Sequence, residues 1–132
     1  MRADTAYLYR VRAVKGGTRS DPSNADLATT LVFSGTLTSG TSILSAVHVT
    51  QLRTAVNAVR ALWSSGLAPA VFSDPSLQNV VAKAVHLTEL RAVLNEARQG
   101  LALPPVVYST TGPAAGQVIA AADINDLRGG VR

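Results

Sequence analysis

Apolar and polar positions alternate strictly over residues 5–14, with Tyr7, Tyr9, Val11 and Ala13 on one face and Leu8, Arg10, Arg12 and Val14 on the other. A period of two is the mark of a half-buried strand. Gly16-Gly17 turns the chain, and Ser20-Asp21-Pro22-Ser23-Asn24 leads into a second, weaker strand over residues 25–30, so a β-hairpin is predicted. Beyond residue 45 the period changes. Val49, Leu52, Val56, Val59 and Trp63 follow at steps of three and four, as do Leu87, Leu90, Leu94, Ala97 and Leu101. Each series makes one apolar stripe, which predicts two amphipathic helices with Trp63 in the core. Gly66 and Gly100, followed by Pro69 and Pro104-Pro105, mark their C-termini. A shorter third stripe is made of Ile124, Leu127 and Val131.

The three helices share one start motif. Ala84-Val85-His86-Leu87-Thr88-Glu89-Leu90-Arg91 has an earlier copy, Ala46-Val47-His48-Val49-Thr50-Gln51-Leu52-Arg53, and a later one, Ala121-Ala122-Asp123-Ile124-Asn125-Asp126-Leu127-Arg128. The anchors at 48, 86 and 123 are 38 and 37 residues apart, a period that builds stacked units. Upstream of each stands an aromatic–serine pair: Phe33-Ser34, Phe72-Ser73 and Tyr108-Ser109. With His48, His86 and Asp123 as N-caps and Gln51, Glu89 and Asp126 at N3, the motif has the logic of a capping box. Val47, Val85 and Ala122 opposite Leu52, Leu90 and Leu127 would add a hydrophobic staple. The expected fold is α+β: a hairpin over 1–30, then loop–helix units at about 31–69, 70–105 and 106–132 with a helical core. The third unit is expected to be truncated, either a terminal cap or an element completed by another chain.

Two resemblances attach to these residues. Thr5, Tyr7, Tyr9, Val11, Ala13-Val14, Gly17, Ser20, Pro22-Ser23-Asn24 and Ala28-Thr29-Thr30 resemble the last two strands of a fibronectin type III domain. That resemblance implies that Tyr7 is the corner tyrosine, its hydroxyl bonded to backbone a few residues upstream. It covers only about thirty residues, and the family's first five strands have no counterpart. Residues 46–132, through Ala-x-His-φ-x-x-Leu-Arg at 46–53 and 84–91 and through Phe72-Ser73-Asp74-Pro75, resemble tandem repeats at the C-terminal ends of large secreted or surface bacterial proteins. Repeat three departs from the pattern, with Asp123 for His and Thr110-Thr111 for Asp-Pro. This second resemblance implies an extracellular or cell-surface setting and no known catalytic activity.

Composition narrows the chemistry. Cysteine is absent, which removes disulfides and thiolate metal sites. Charged residues make up 15% of the chain, low enough to leave apolar surface to be covered by association. The net charge of +4 rests on ten Arg and two Lys, and residues 1–30 and 31–132 contribute +2 each, so there is no basic tail. Arg53/Arg60 and Arg91/Arg98 recur seven apart, as on solvated helix flanks, and no interleaved aromatics point to nucleic acid. No run of 18 apolar residues predicts a membrane span, and Met1-Arg2-Ala3-Asp4 shows no signal peptide. His48 and His86 would need zinc co-ligands that the pattern does not supply. The stretch from Gly116 to Arg128 is similar to the strand-to-helix segment of dockerin repeats, but the calcium loop Asp-x-Asn-x-Asp-Gly is missing. Glu89/Arg91 and Glu96/Arg98 read as surface pairs. No nucleophile elbow or phosphate loop is present.

The expectation is therefore a non-enzyme without cofactor: a structural, self-assembling surface protein whose partners are other copies of itself. A two-stranded hairpin is marginal alone, so Tyr7, Leu8, Tyr9, Val11, Ala13 and Val14 are expected to dock on a neighbouring copy. Together with an incomplete third unit this would give two different open ends, hence a filament. The hydroxyl-rich loop 31–45 could carry O-linked sugars. The rival expectation is an accessory module that anchors a larger secreted protein to cell wall or polysaccharide.

Overall fold

A computed structural model of the chain describes residues 2–42, 44–63 and 68–132. Four short strands precede three helices: β1 (Ala6–Tyr9), β2 (Val14–Lys15), β3 (Thr18–Arg19), β4 (Asp26–Thr29), α1 (Ala46–Trp63), α2 (Ala84–Gly100) and α3 (Ala121–Gly130). The α+β class and the hairpin-then-helices order are those the periodicities predict.

The strands form one long hairpin. β1 pairs antiparallel with β4, placing Leu8 opposite Leu27, and β2 pairs with β3 around Gly16-Gly17. Both glycines have positive φ, 57° and 82°, as a two-residue type I′ turn demands. Between the two small sheets the ladder continues through serine. Ser20 and Ser23 donate their N–H groups to the carbonyls of Ala13 and Val11, and their hydroxyls accept the N–H groups of the same two residues. Ala6 and Leu27 are buried on the α1 side, while Tyr9 and Val11 are exposed at 47% and 65%. The hairpin base thus rests on its own chain. The face carrying Tyr7 and Tyr9 points outward, although the Tyr7 hydroxyl accepts the Arg2 N–H at 3.0 Å.

The helix stripes bury as patterned, with Val49, Leu52, Val56, Val59, Leu87, Leu90, Leu94, Ala97, Ile124, Leu127 and Val131 all in the core. Trp63 is a correction: it is 37% exposed at the end of α1, and its indole occupies the space where a Cβ on Gly100 would stand. Gly100 is therefore a close-approach glycine rather than a C-cap. The cap of α2 is a Schellman turn, in which Leu103 donates to the Arg98 carbonyl and Ala102 to Gln99, with Ala102 left-handed at φ 55°. Gly66, expected to end α1, lies outside the described residues.

The capping register also needs correcting. The helices begin two residues earlier than His48, His86 and Asp123, which places these three at N3 instead of N-cap. Each reaches back from inside the first turn. The Ser45 N–H donates to His48 Nδ1 at 3.1 Å, Lys83 N–H to His86 Nδ1 at 3.1 Å, and Ala120 N–H to Asp123 Oδ2 at 2.9 Å. This is half of a capping box, since Lys83 and Ala120 carry no side-chain acceptor to complete the exchange. The shift also undoes the staple: Val47 and Val85 fall at N2 and are 45% and 41% exposed. Gln51, Glu89 and Asp126 are consequently freed from capping.

Before each helix the chain makes a second repeated turn. Thr38–Thr41, Leu77–Val80 and Ala114–Gln117 close through backbone hydrogen bonds, with Gly40, Asn79 and Gly116 left-handed at the third position, as a type II turn requires. Leu37 and Leu77 at the turns point into the core, so the first loop is not wholly solvated.

Candidate functional site

Three surfaces compete for a role, and the first is internal. Every aromatic–serine loop is gripped by its own helix through the residues freed from capping. Gln51 Oε1 accepts the Ser34 N–H at 2.9 Å while its amide donates to the Ser34 hydroxyl. Glu89 accepts the N–H and hydroxyl of Ser73, and Asp126 those of Ser109 at 2.7 and 2.8 Å.

A second grip comes from the preceding helix. Arg53 donates to the carbonyls of Ser73 and Asp74 and lies over the Phe72 ring at 4.9 Å. Arg91 donates to the Thr110 carbonyl and lies over Tyr108 at 4.2 Å. Arg128 donates to the carbonyls of Ser34 and Gly35 at 2.9 Å each and lies over Phe33 at 5.0 Å. Helix one holds loop two, helix two holds loop three, and helix three returns to loop one. The third unit is not an open end: it closes the array on itself, with Asn125 adding a hydrogen bond to the Leu37 carbonyl. Arg53 and Arg91 are thus not a solvated flank, and Glu89 and Glu96 do not pair with Arg91 and Arg98. Glu96 bridges to Arg60 of α1 at 2.8 Å, Arg91 bonds Asp123 at 2.9 Å, and Arg98 holds the Pro104 and Gly130 carbonyls.

The two histidines sit inside this scaffold in unequal surroundings. His86 is fully buried, and since Nδ1 accepts a backbone N–H, Nε2 carries the proton and donates to Asp74 Oδ2 at 3.1 Å. Lys83 Nζ is 2.8 Å from the same oxygen, and these two hydrogen bonds hold the Asp74 carboxyl below its usual range. At the matching place beside His48 the chain has Gly35 and no carboxylate; burial, then the charge of Arg128, depresses the His48 pKa. Burial raises the Tyr108 phenol to about 12, the neighbouring arginines opposing, and its hydroxyl is left without a partner. Among the described residues no three acidic or histidine side chains converge as a metal site.

The second surface is an apolar hollow of about 750 Å3 where the three pre-helix segments meet, lined by Leu44, Val81, Val118 and Ile119 with Lys83 and Gln117. Ser42 lines it too, its hydroxyl accepting the Thr38 N–H while Lys83 Nζ bonds Asp74, so among the described residues these two are not hydrogen-bonded to each other. The third is the hairpin. Residues 9–21 are all exposed, and Arg10, Arg12 and Arg19 share a concavity of about 500 Å3 with Val14 and Pro22. On the opposite face Tyr9 donates its hydroxyl to Asp26, a bond that raises its own pKa.

Of the residues the sequence singled out, Gln51, Glu89 and Asp126 form the internal clamps, His86 and Asp123 bond the loop residues Asp74 and Thr110, and His48 bonds Ser45 at the start of its own helix. Leu8, Tyr9, Val11, Ala13 and Val14 are exposed on the two faces of the hairpin, and Tyr7 is half-buried. The arginine clamps were missed by sequence reasoning. Their signal was present as two constant features, an arginine two residues beyond the acid or amide and an aromatic at the head of the following loop. No known family matches the chain, and no characterised protein or solved structure proved similar to it.

Proposed function

We propose that this protein is a non-catalytic interaction module, a closed three-unit body that presents the N-terminal hairpin to a partner in the manner of a surface-anchoring domain. What supports the reading above all is the contrast between body and hairpin. The body turns its arginines onto its own loops and returns on itself through Arg128, while residues 9–21 are all exposed. No strand pairs with the outer edge of β1 or β4 among the described residues. His86, the histidine beside a carboxylate, is sealed from solvent with both ring nitrogens engaged, which leaves it no role in proton transfer to a substrate. The setting at a cell surface is part of this proposal and rests on the repeat resemblance alone.

Self-association through the hairpin is a second reading, favoured by the exposed Leu8, Val11 and Val14 beside unpaired edges. The closed third unit removes the second open end that a head-to-tail filament was to use. Arg10 and Arg12 on the β1–β2 segment oppose pairing between like copies. Co-sedimentation of the full chain with insoluble cell-wall polysaccharide, beside sedimentation equilibrium of the protein alone, separates the two readings. Wall binding by a monomer supports the module, concentration-dependent oligomers without wall binding support self-association, and a monomer that binds nothing overturns both.

A further inference from the structure

We infer that Arg10, Arg12 and Arg19 form a binding face for the anionic groups of an acidic polysaccharide, an assignment that rests on the interaction-module reading and names its ligand. The argument begins with what arginines do elsewhere in this chain. Arg53, Arg91 and Arg128 spend their N–H groups on loop carbonyls and their planes on aromatic rings, Arg60 is paired with Glu96, and Arg98 holds two carbonyls. Among the described residues, the three hairpin arginines have neither a side-chain hydrogen bond nor a carboxylate within 4.0 Å.

Their placement is a matter of register. Arg10 and Arg12 alternate onto the face of Val14, and Arg19 is the direct cross-strand partner of Val14, so all three guanidinium groups border one concavity. Like charges gathered on a two-stranded hairpin repel one another and weaken an element that is already marginal. Two carboxylates lie nearby: Asp21, next to the Ser20 that pairs with Ala13, makes no ion pair within 4.0 Å with any of the three, and the Asp26 oxygens take the Tyr9 hydroxyl and the Leu27 N–H. A guanidinium offers five donors in a planar fork that fits a carboxylate or sulfate, so three beside each other suit a chain that repeats such groups. The face holds no aromatic ring: Tyr7 and Tyr9 belong to the other side of the strand. Stacking on neutral sugars or on bases therefore has no platform here, and recognition falls to charge and hydrogen bonding.

The test uses the full chain with polygalacturonate and dextran sulfate as probes, neutral dextran as control and duplex DNA as a competing polyanion, at low and near-physiological salt. Expected is salt-sensitive binding to the acidic polysaccharides and none to dextran. Each arginine-to-serine change should weaken it roughly two- to fivefold and the triple change at least about tenfold. The triple lysine variant should keep the charge and lose part of the affinity. All three side chains are exposed, so a thermal transition that is not lowered shows the fold intact. DNA binding without polysaccharide binding overturns the inference, as does polysaccharide binding that the triple serine variant retains, or none at all. If acidic probes fail while insoluble wall material is still bound, the module survives and only its ligand is wrong; if both fail, the module falls with it.

Discussion

At Tyr108 the third unit carries a phenol where the first two carry Phe33 and Phe72, and its hydroxyl is buried without a partner. An unsatisfied buried hydroxyl costs about 1–3 kcal/mol. Tyr108→Phe should therefore raise stability by about 1 kcal/mol, read as a higher urea midpoint at unchanged slope; a loss of stability would mean that the hydroxyl has a partner after all. His48 makes a prediction in pH. Its folded pKa lies below the ordinary 6.5, so as pH falls through 6.5 the unfolded chain takes up a proton that the native protein refuses. Stability should decline over that interval down to the folded pKa. His48→Gln keeps an acceptor for the Ser45 N–H and should flatten the slope, which urea melts across the interval would reveal. Asp74 acts lower, because a carboxyl held below 3.8 withdraws its contribution only as pH falls through its folded value.

At the scale of the element, the end of α2 separates two demands that a single glycine often meets together. Gly100 is required by the Trp63 indole, and the left-handed position two residues later is occupied by Ala102. Ala102→Gly should relieve the strain and stabilise by about 0.5–1 kcal/mol net of the extra freedom it gives the unfolded chain. Gly100→Ala should destabilise and shift the Trp63 fluorescence. Thermal melts of the two variants moving in opposite directions would establish the division; movement in the same direction would refute it. The hairpin obeys a different logic, since Ser20 and Ser23 hydroxyls stand in for ladder acceptors and only its base is buried.

For the whole molecule the decisive contact is Arg128 on Phe33, which joins the last helix to the first loop. Arg128→Ala removes two charge-assisted hydrogen bonds and a cation–π contact and should cost roughly 2 kcal/mol. Arg128→Lys should recover little, because an ammonium cannot reproduce the planar fork over the ring. A coupling energy near zero in a double-mutant cycle of Arg128→Ala with Phe33→Leu would sink the closure argument.

Much of this was legible along the chain. The hairpin and the helix stripes depend on periodicities of two to four residues and on turn chemistry such as Gly16-Gly17, all local properties, and the repeat shows as self-similarity at 37 to 38 residues. The capping residues were visible too, but a cap and an N3 acceptor differ by one turn of backbone and use the same side chains, so the register shifted at His48, His86 and Asp123. The clamps lay deeper. Arg53 and Arg91, each seven residues before another arginine, look the same whether they face water or the next loop, and Glu89 beside Arg91 suggests a pair until Ser73 is brought to it. What the sequence determined by itself was the set of parts: one hairpin, three helices, three aromatic–serine loops. Only tertiary structure decided that the parts close into a ring, because Arg128 and Ser34 meet across 94 positions of chain. No periodicity reports a contact at that separation. It exists only when three packed helices bring the last loop-binding side chain to the first loop.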